Sequence, residues 1–143
     1  MSGRVPEPEG TPLAGDEVVA RVLVSGRSIV KSTGAVRPEA FDPAPGNKLS
    51  VLRQAEWAEP ALWLRCQQVA AMRNKALFGR ADLPASAIRA SGPDMAAVAA
   101  ARPHDPWHAH VQGYPADEAL RLSVWQAMAA AAKFVPAPVP TAG

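Results

Sequence analysis

The sequence predicts an α+β fold, a small and mainly antiparallel sheet packed against two principal helices. Four segments with strand character, near residues 17–25, 48–54, 76–83 and 107–112, are spread unevenly around helical segments near 59–74 and 116–134. Two strands precede the first helix, so the regular strand–helix–strand alternation of a doubly wound parallel sheet is missing. The 143 residues suit one domain, and an apolar content of 48% is enough for its core.

Residues 1–15 are rich in Gly, Pro and Glu with little to bury, and read as a disordered arm. In the first strand Val18, Ala20, Val22 and Val24 fall on one face, Val19, Arg21, Leu23 and Ser25 on the other. Dense β-branching supports a strand buried on one face and half-covered on the other. Residues 26–46 read as loop, with a short strand available at 28–33 and Phe41 as its large apolar anchor. Leu49, Val51 and Arg53 share a face of the second strand. Glu59-Pro60 opens the first helix, with Pro in the first turn and an acid near the positive end of the dipole. Its stripe is Leu62, Cys66, Val69, Ala70 and Arg73, flanked by Trp63, and it should end near Asn74.

Residues 76–83 read as a strand with a bulge at Gly79, and 84–91 as a two-turn helix stopped by Gly92-Pro93. The Ala/Val run 95–101 is read as helix. In the next strand Trp107, Ala109 and Val111 alternate with His108, His110 and Gln112. Asp117-Glu118 starts the longest helix, with Leu120, Val124, Met128 and Ala131 as its stripe, widened by Trp125 and Ala129, and Lys133 at its negative end. Residues 135–143, broken by Pro136, Pro138 and Pro140, read as a disordered tail. The single domain thus spans 16–134.

A net charge of +2 is too small to argue for a nucleic-acid or membrane partner. Its distribution is uneven: an acidic arm (Glu7, Glu9, Asp16, Glu17 against Arg4) precedes a basic stretch (Arg21, Arg27, Lys31, Arg37, Lys48, Arg53). No run approaches the ~20 apolar residues of a membrane span. The N-terminus lacks the apolar centre of a signal peptide, and the one cysteine, Cys66, can form no internal disulfide. A cytoplasmic setting is the expectation.

Three groups are candidates for chemistry. All three histidines lie in residues 104–110, and on a strand His108 and His110 project from one face about 7 Å apart. With His104 or Asp105 from the preceding loop they could hold zinc or iron, or one could serve as a general base; structural or surface histidines are the plainer reading. The second group, Arg21, Arg27, Lys31, Arg37 and Arg53, would bind phosphates if its strands were neighbours. Only Phe41 is aromatic there, whereas nucleic-acid platforms interleave several rings. Trp57, Trp107 and Phe41 are interface candidates, since aromatic residues beside polar loops suit a partner. Cys66, on a helix stripe, reads as a buried inert thiol.

Ala40-Phe41, then Leu49-Ser50-Val51, then residues 87–92 ending in Gly92, then His108-Ala109-His110-Val111 occur in that order. This resembles a broad group of small uncharacterised bacterial proteins, over roughly residues 18–114. The resemblance implies a bacterial cytoplasmic α+β domain and carries over no catalytic residue. The sequence therefore leans away from an enzyme and towards a non-catalytic accessory protein with a protein partner and no cofactor. The alternatives are a metal-dependent hydrolytic enzyme built on His108 and His110, and a nucleic-acid-binding module built on residues 18–54.

Overall fold

A computed structural model describes residues 5–43, 46–54 and 57–138. Six strands form one sheet in the order β4-β5-β2-β1-β3-β6, every neighbouring pair antiparallel. They are β1 (Val18–Leu23), β2 (Leu49–Arg53), β3 (Gly79–Pro84), β4 (Ala96–Ala99), β5 (His108–Gln112) and β6 (Lys133–Pro136). Among the described residues three α-helices, α1 (Glu59–Met72), α2 (Ala85–Ala90) and α3 (Glu118–Ala131), complete the α+β fold. Among the described residues no helix is long and apolar enough to cross a membrane.

Alternation along β1 divides the core in two. Val19 and Leu23 join the larger cluster, with Phe41 from a 3-10 turn at Pro38–Phe41, Ile88 from α2, Val124 and Met128 from α3, and Tyr114 from the loop before α3. Ala20 and Val22 join the smaller cluster, with Leu62, Trp63 and Cys66 from α1. Both faces of β1 are therefore covered, where the sequence suggested one covered face and one half-covered. Packing both sides removes far more apolar surface from water than either alone.

The helix ends follow local chemistry. Pro60 stands in the first turn of α1, and Asn74, at φ 54°, ends it in the left-handed region that Asn tolerates. The Asp117 side chain caps α3 by accepting from the Leu120 amide at 2.9 Å. The buried stripe of α3 is Val124, Met128 and Ala129; Leu120 and Ala131, expected on it, are exposed. Val124 packs close to Gly92, where an added Cβ would meet it at 2.9 Å.

Four expectations are corrected. The 95–101 run is not a helix: Ala96–Ala99 is a strand with a ladder partner on each side. One side is β5, and the other is the N-terminal arm, where Gly10 and Leu13 donate to the Ala99 and Ala97 carbonyls at 2.8 and 2.9 Å. Residues 10–13 of the supposedly disordered arm thus lie against the sheet, with Leu13 only 4% exposed. Residues 133–136 pair with β3 as an edge strand, and Ala137 donates to Phe78 at 3.1 Å, so 135–138 do not form a free tail. The prolines misled here because edge strands tolerate residues that cannot donate. Residues 1–4 and 139–143 of the same two expectations fall outside the described residues. Gly79 marks no bulge, since the β1–β3 register is unbroken; a Cβ there would lie 2.6 Å from the Phe134 ring and 2.7 Å from the Val135 carbonyl.

Candidate functional site

On the side of the sheet that carries α1, the helix covers the centre and stops short of β5. His108 and His110 lie on this side, opposite Leu52 and Ser50 in the β2–β5 register. β1 and β2 pair only at Val19–Arg53 and Ala20–Leu52. Beyond that, Arg21 spans the two strands, donating from Nη1 to the Ser50 carbonyl at 3.0 Å and from Nε to the Ala40 carbonyl at 3.2 Å. Burial, aided by nearby Arg73, lowers its pKa to about 10.

Between α1 and the β2–β5 half of the sheet lies a groove of about 580 Å³. Its apolar surface comes from Val22, Leu52, Val69 and Met72, its polar wall from Arg65, Arg73, Arg102, His104, Asp105 and His108. Positions 65, 69 and 73 are four apart, so one face of α1 presents two arginines with a valine between them. That spacing was visible in the sequence, where Arg73 was read only as part of a packing stripe. A second hollow of about 540 Å³ lies further towards the start of α1, walled by Trp57, Ala61, Gln68, Pro106 and Trp107. Arg65, His104 and Asp105 border both hollows. The Arg65 guanidinium reaches Asp105 Oδ2 at 2.8 Å, strapping the 102–107 loop to α1 between them.

The loop is held from within. Arg102 and Asp105 exchange backbone hydrogen bonds, each at 3.0 Å, and the His108 amide donates to the Asp105 carbonyl at 3.2 Å. Asp105 is 6% exposed, and its Oδ1 has no hydrogen-bond partner among the described residues. A buried carboxylate oxygen without a donor is costly, so this atom is poised to accept one.

The histidines are committed. His108 donates from Nδ1 to the Ala100 carbonyl at 3.2 Å, and His110 Nε2 accepts from Arg102 Nη2 at 3.1 Å. Their rings meet edge to face with centroids 4.8 Å apart. Burial is the main cause lowering the His108 pKa, with Arg102 adding to it against the Ala100 hydrogen bond. Burial and then His108 lower that of His110. Both rings are therefore neutral at pH 7.

The metal expectation concerned His104, Asp105, His108 and His110. Among the described residues no three His, Cys, Asp or Glu side chains converge in a way that could hold a metal ion. Guanidinium groups occupy the positions a cation would need, Arg65 on Asp105 and Arg102 on His110. Cys66 is fully buried, and burial pushes its pKa up to about 11.

The basic candidates do not form one face. Arg53 is fully buried, bonded to Glu17, in ionic contact with Glu7, and stacked 5.0 Å over Trp107. Burial would lower its pKa, but the hydrogen bonds that Arg53 donates to Glu17 and Glu7 outweigh it and raise the value. Arg53 is thus a structural tie between the arm, the start of β1 and the 102–107 loop. Arg21 lies at the strand junction, while Arg27, Lys31 and Arg37 line a separate hollow. Of the interface candidates, Phe41 is 0% exposed and offers no surface, its carbonyl accepting from the Tyr114 hydroxyl at 2.9 Å. Trp107 is buried as well, and with half-buried Trp57 it walls the second hollow.

No family model, no curated protein and no solved structure matches this chain.

Proposed function

We propose that this protein is a non-catalytic binding module that receives an acidic, partly apolar peptide segment of a partner protein in the groove beside α1. The observation that carries this reading is the charge of the groove wall. Arg65, Arg73 and Arg102 stand against one carboxylate, Asp105, over an apolar surface of Val22, Leu52, Val69 and Met72. Guanidinium groups favour carboxylates through charge-assisted hydrogen bonds, and the apolar surface suits the side chains between them. The second hollow extends the groove along α1, which suits an extended chain better than a compact molecule. Asp105 Oδ1 is an acceptor of the kind a peptide N–H satisfies. The order of short motifs that resembles small bacterial proteins supports a setting in the bacterial cytoplasm, within a multi-protein system.

Fluorescence anisotropy with two labelled peptides tests the reading, one alternating Glu and Leu, the other Lys and Leu. The acidic peptide should bind, weaken with added salt, and lose affinity in the Arg73→Glu, Arg102→Glu double variant. Equal binding of both peptides, or an unchanged affinity in the variant, would sink it.

A further inference from the structure

The groove leaves part of the basic segment without a role: Arg27, Lys31 and Arg37. We infer that the hollow they line is a separate binding site for an oligophosphate group. Local folding builds it. Ser25 caps a 3-10 turn at Gly26–Ser28 by accepting from the Arg27 amide at 3.1 Å. Ile29 and Val36 then pair across an antiparallel bridge, next to which the Arg37 amide donates to the Ser28 carbonyl at 2.7 Å. Between them the chain reverses through Gly34 at φ +74°, with Val30 donating to Ala35 at 2.8 Å and Gly34 to Val30 at 2.7 Å. A side chain with a Cβ adopts that conformation only with strain.

This reversal brings three cations from separate positions to one hollow of about 920 Å³, together with Ser25 and Ser32. None of the residues lining it is acidic. The contrast with the other arginines is informative. Arg53, Arg65 and Arg80 are each paired with a carboxylate, whereas among the described residues Arg27, Lys31 and Arg37 have no such pair. The fold holds like charges together without neutralising them, which leaves that work to an anion. Arg37 is oriented in advance, its Nε donating to the Ile29 carbonyl at 3.2 Å, a bond that does not use the two terminal nitrogens.

The chemistry selects the ligand class. Planar guanidinium groups bind phosphoryl oxygens through paired hydrogen bonds, and a lysine adds a compact charge. Three cations spread around one opening match a short chain of phosphoryl groups better than a single one. No aromatic ring lines the hollow, so nothing there would stack on a nucleobase. Free pyrophosphate and a nucleoside diphosphate should therefore bind alike, through the phosphates alone.

Amide chemical shifts of the full chain, followed by NMR at low salt, test this with pyrophosphate, ADP and a single-stranded oligonucleotide as probes. Pyrophosphate and ADP should shift the amides of residues 25–37 with similar affinity. Arg37→Gln and Lys31→Gln should each weaken both about tenfold, and added salt should weaken them further. These exposed positions leave the core intact, and the unperturbed amides report the fold of each variant. The inference fails if no shift appears at low salt, if the shifts map to the groove beside α1, or if Arg37→Gln binds as the parent does. It also fails if ADP binds and pyrophosphate does not. An oligonucleotide that binds through residues 25–37 while pyrophosphate does not would make the patch a nucleic-acid surface instead.

Discussion

The two faces of the sheet are closed to different degrees. On one, Phe41, Ile88, Tyr114, Val124 and Met128 form a continuous layer across the strands. On the other, α1 is the one helix among the described residues that provides cover, with Leu62, Trp63, Cys66 and Ala70 buried, and the strip over β2 and β5 is left to the groove. A single helix is about 10 Å wide with its side chains, while the sheet has six strands spaced about 5 Å apart. One helix cannot roof that width. The closed face supplies stability, and the unroofed strip supplies the polar, accessible site.

The comparison is broken most severely by emptying the closed face. Phe41→Ala removes a fully buried ring and should cost about 3–5 kcal/mol in urea unfolding. Arg53→Met should cost a similar amount, up to about 3–5 kcal/mol, because it removes the buried guanidinium that pairs with the Glu17 and Glu7 carboxylates and ties the arm to the sheet. Faster backbone hydrogen exchange at Gly10, Leu13 and Ala99, whose amides donate across the seam between the arm and β4, would report the arm's release.

A smaller effect separates the faces by pH. The unfolded chain protonates His108 and His110 near pH 6.5, while the folded chain holds both neutral to lower pH. The unfolded state then binds more protons, so stability should fall as pH drops from 7 through 6. A His108→Gln, His110→Gln double variant should lose that part of the decline in denaturant midpoint. Smallest of all should be the stability change in Arg73→Glu, within about 0.5 kcal/mol, since the residue is exposed on the groove wall. Its effect belongs to acidic-peptide binding. A large loss of stability there would mean that the groove wall is structural.

Where period and composition are strong, the chain is legible from its residues. β1 follows from Val18 to Val24, α1 from Pro60 and its four-residue spacing, and α3 from the Asp117 cap. Trp107, Ala109 and Val111 against His108, His110 and Gln112 placed the histidines on one face of a strand, where they are. The candidate site was half legible: the histidine segment lies at the groove, but Arg65 and Arg102 were not singled out. An arginine in a helix reads the same whether it faces water or a groove, until the opposing strand is in place.

The α+β class and the two substantial helices were therefore determined by the sequence alone, because hydrophobic period and capping chemistry act over a few neighbouring residues. Tertiary structure decided the rest. The Ala/Val run became β4 because the arm and β5 both offered ladder partners, a choice that no short-range propensity encodes. Residues 133–136 became β6 because β3 presented an open edge. The His104–His110 segment became a groove wall because Arg65 and Arg102, distant from each other in sequence, reached its carboxylate and its imidazole.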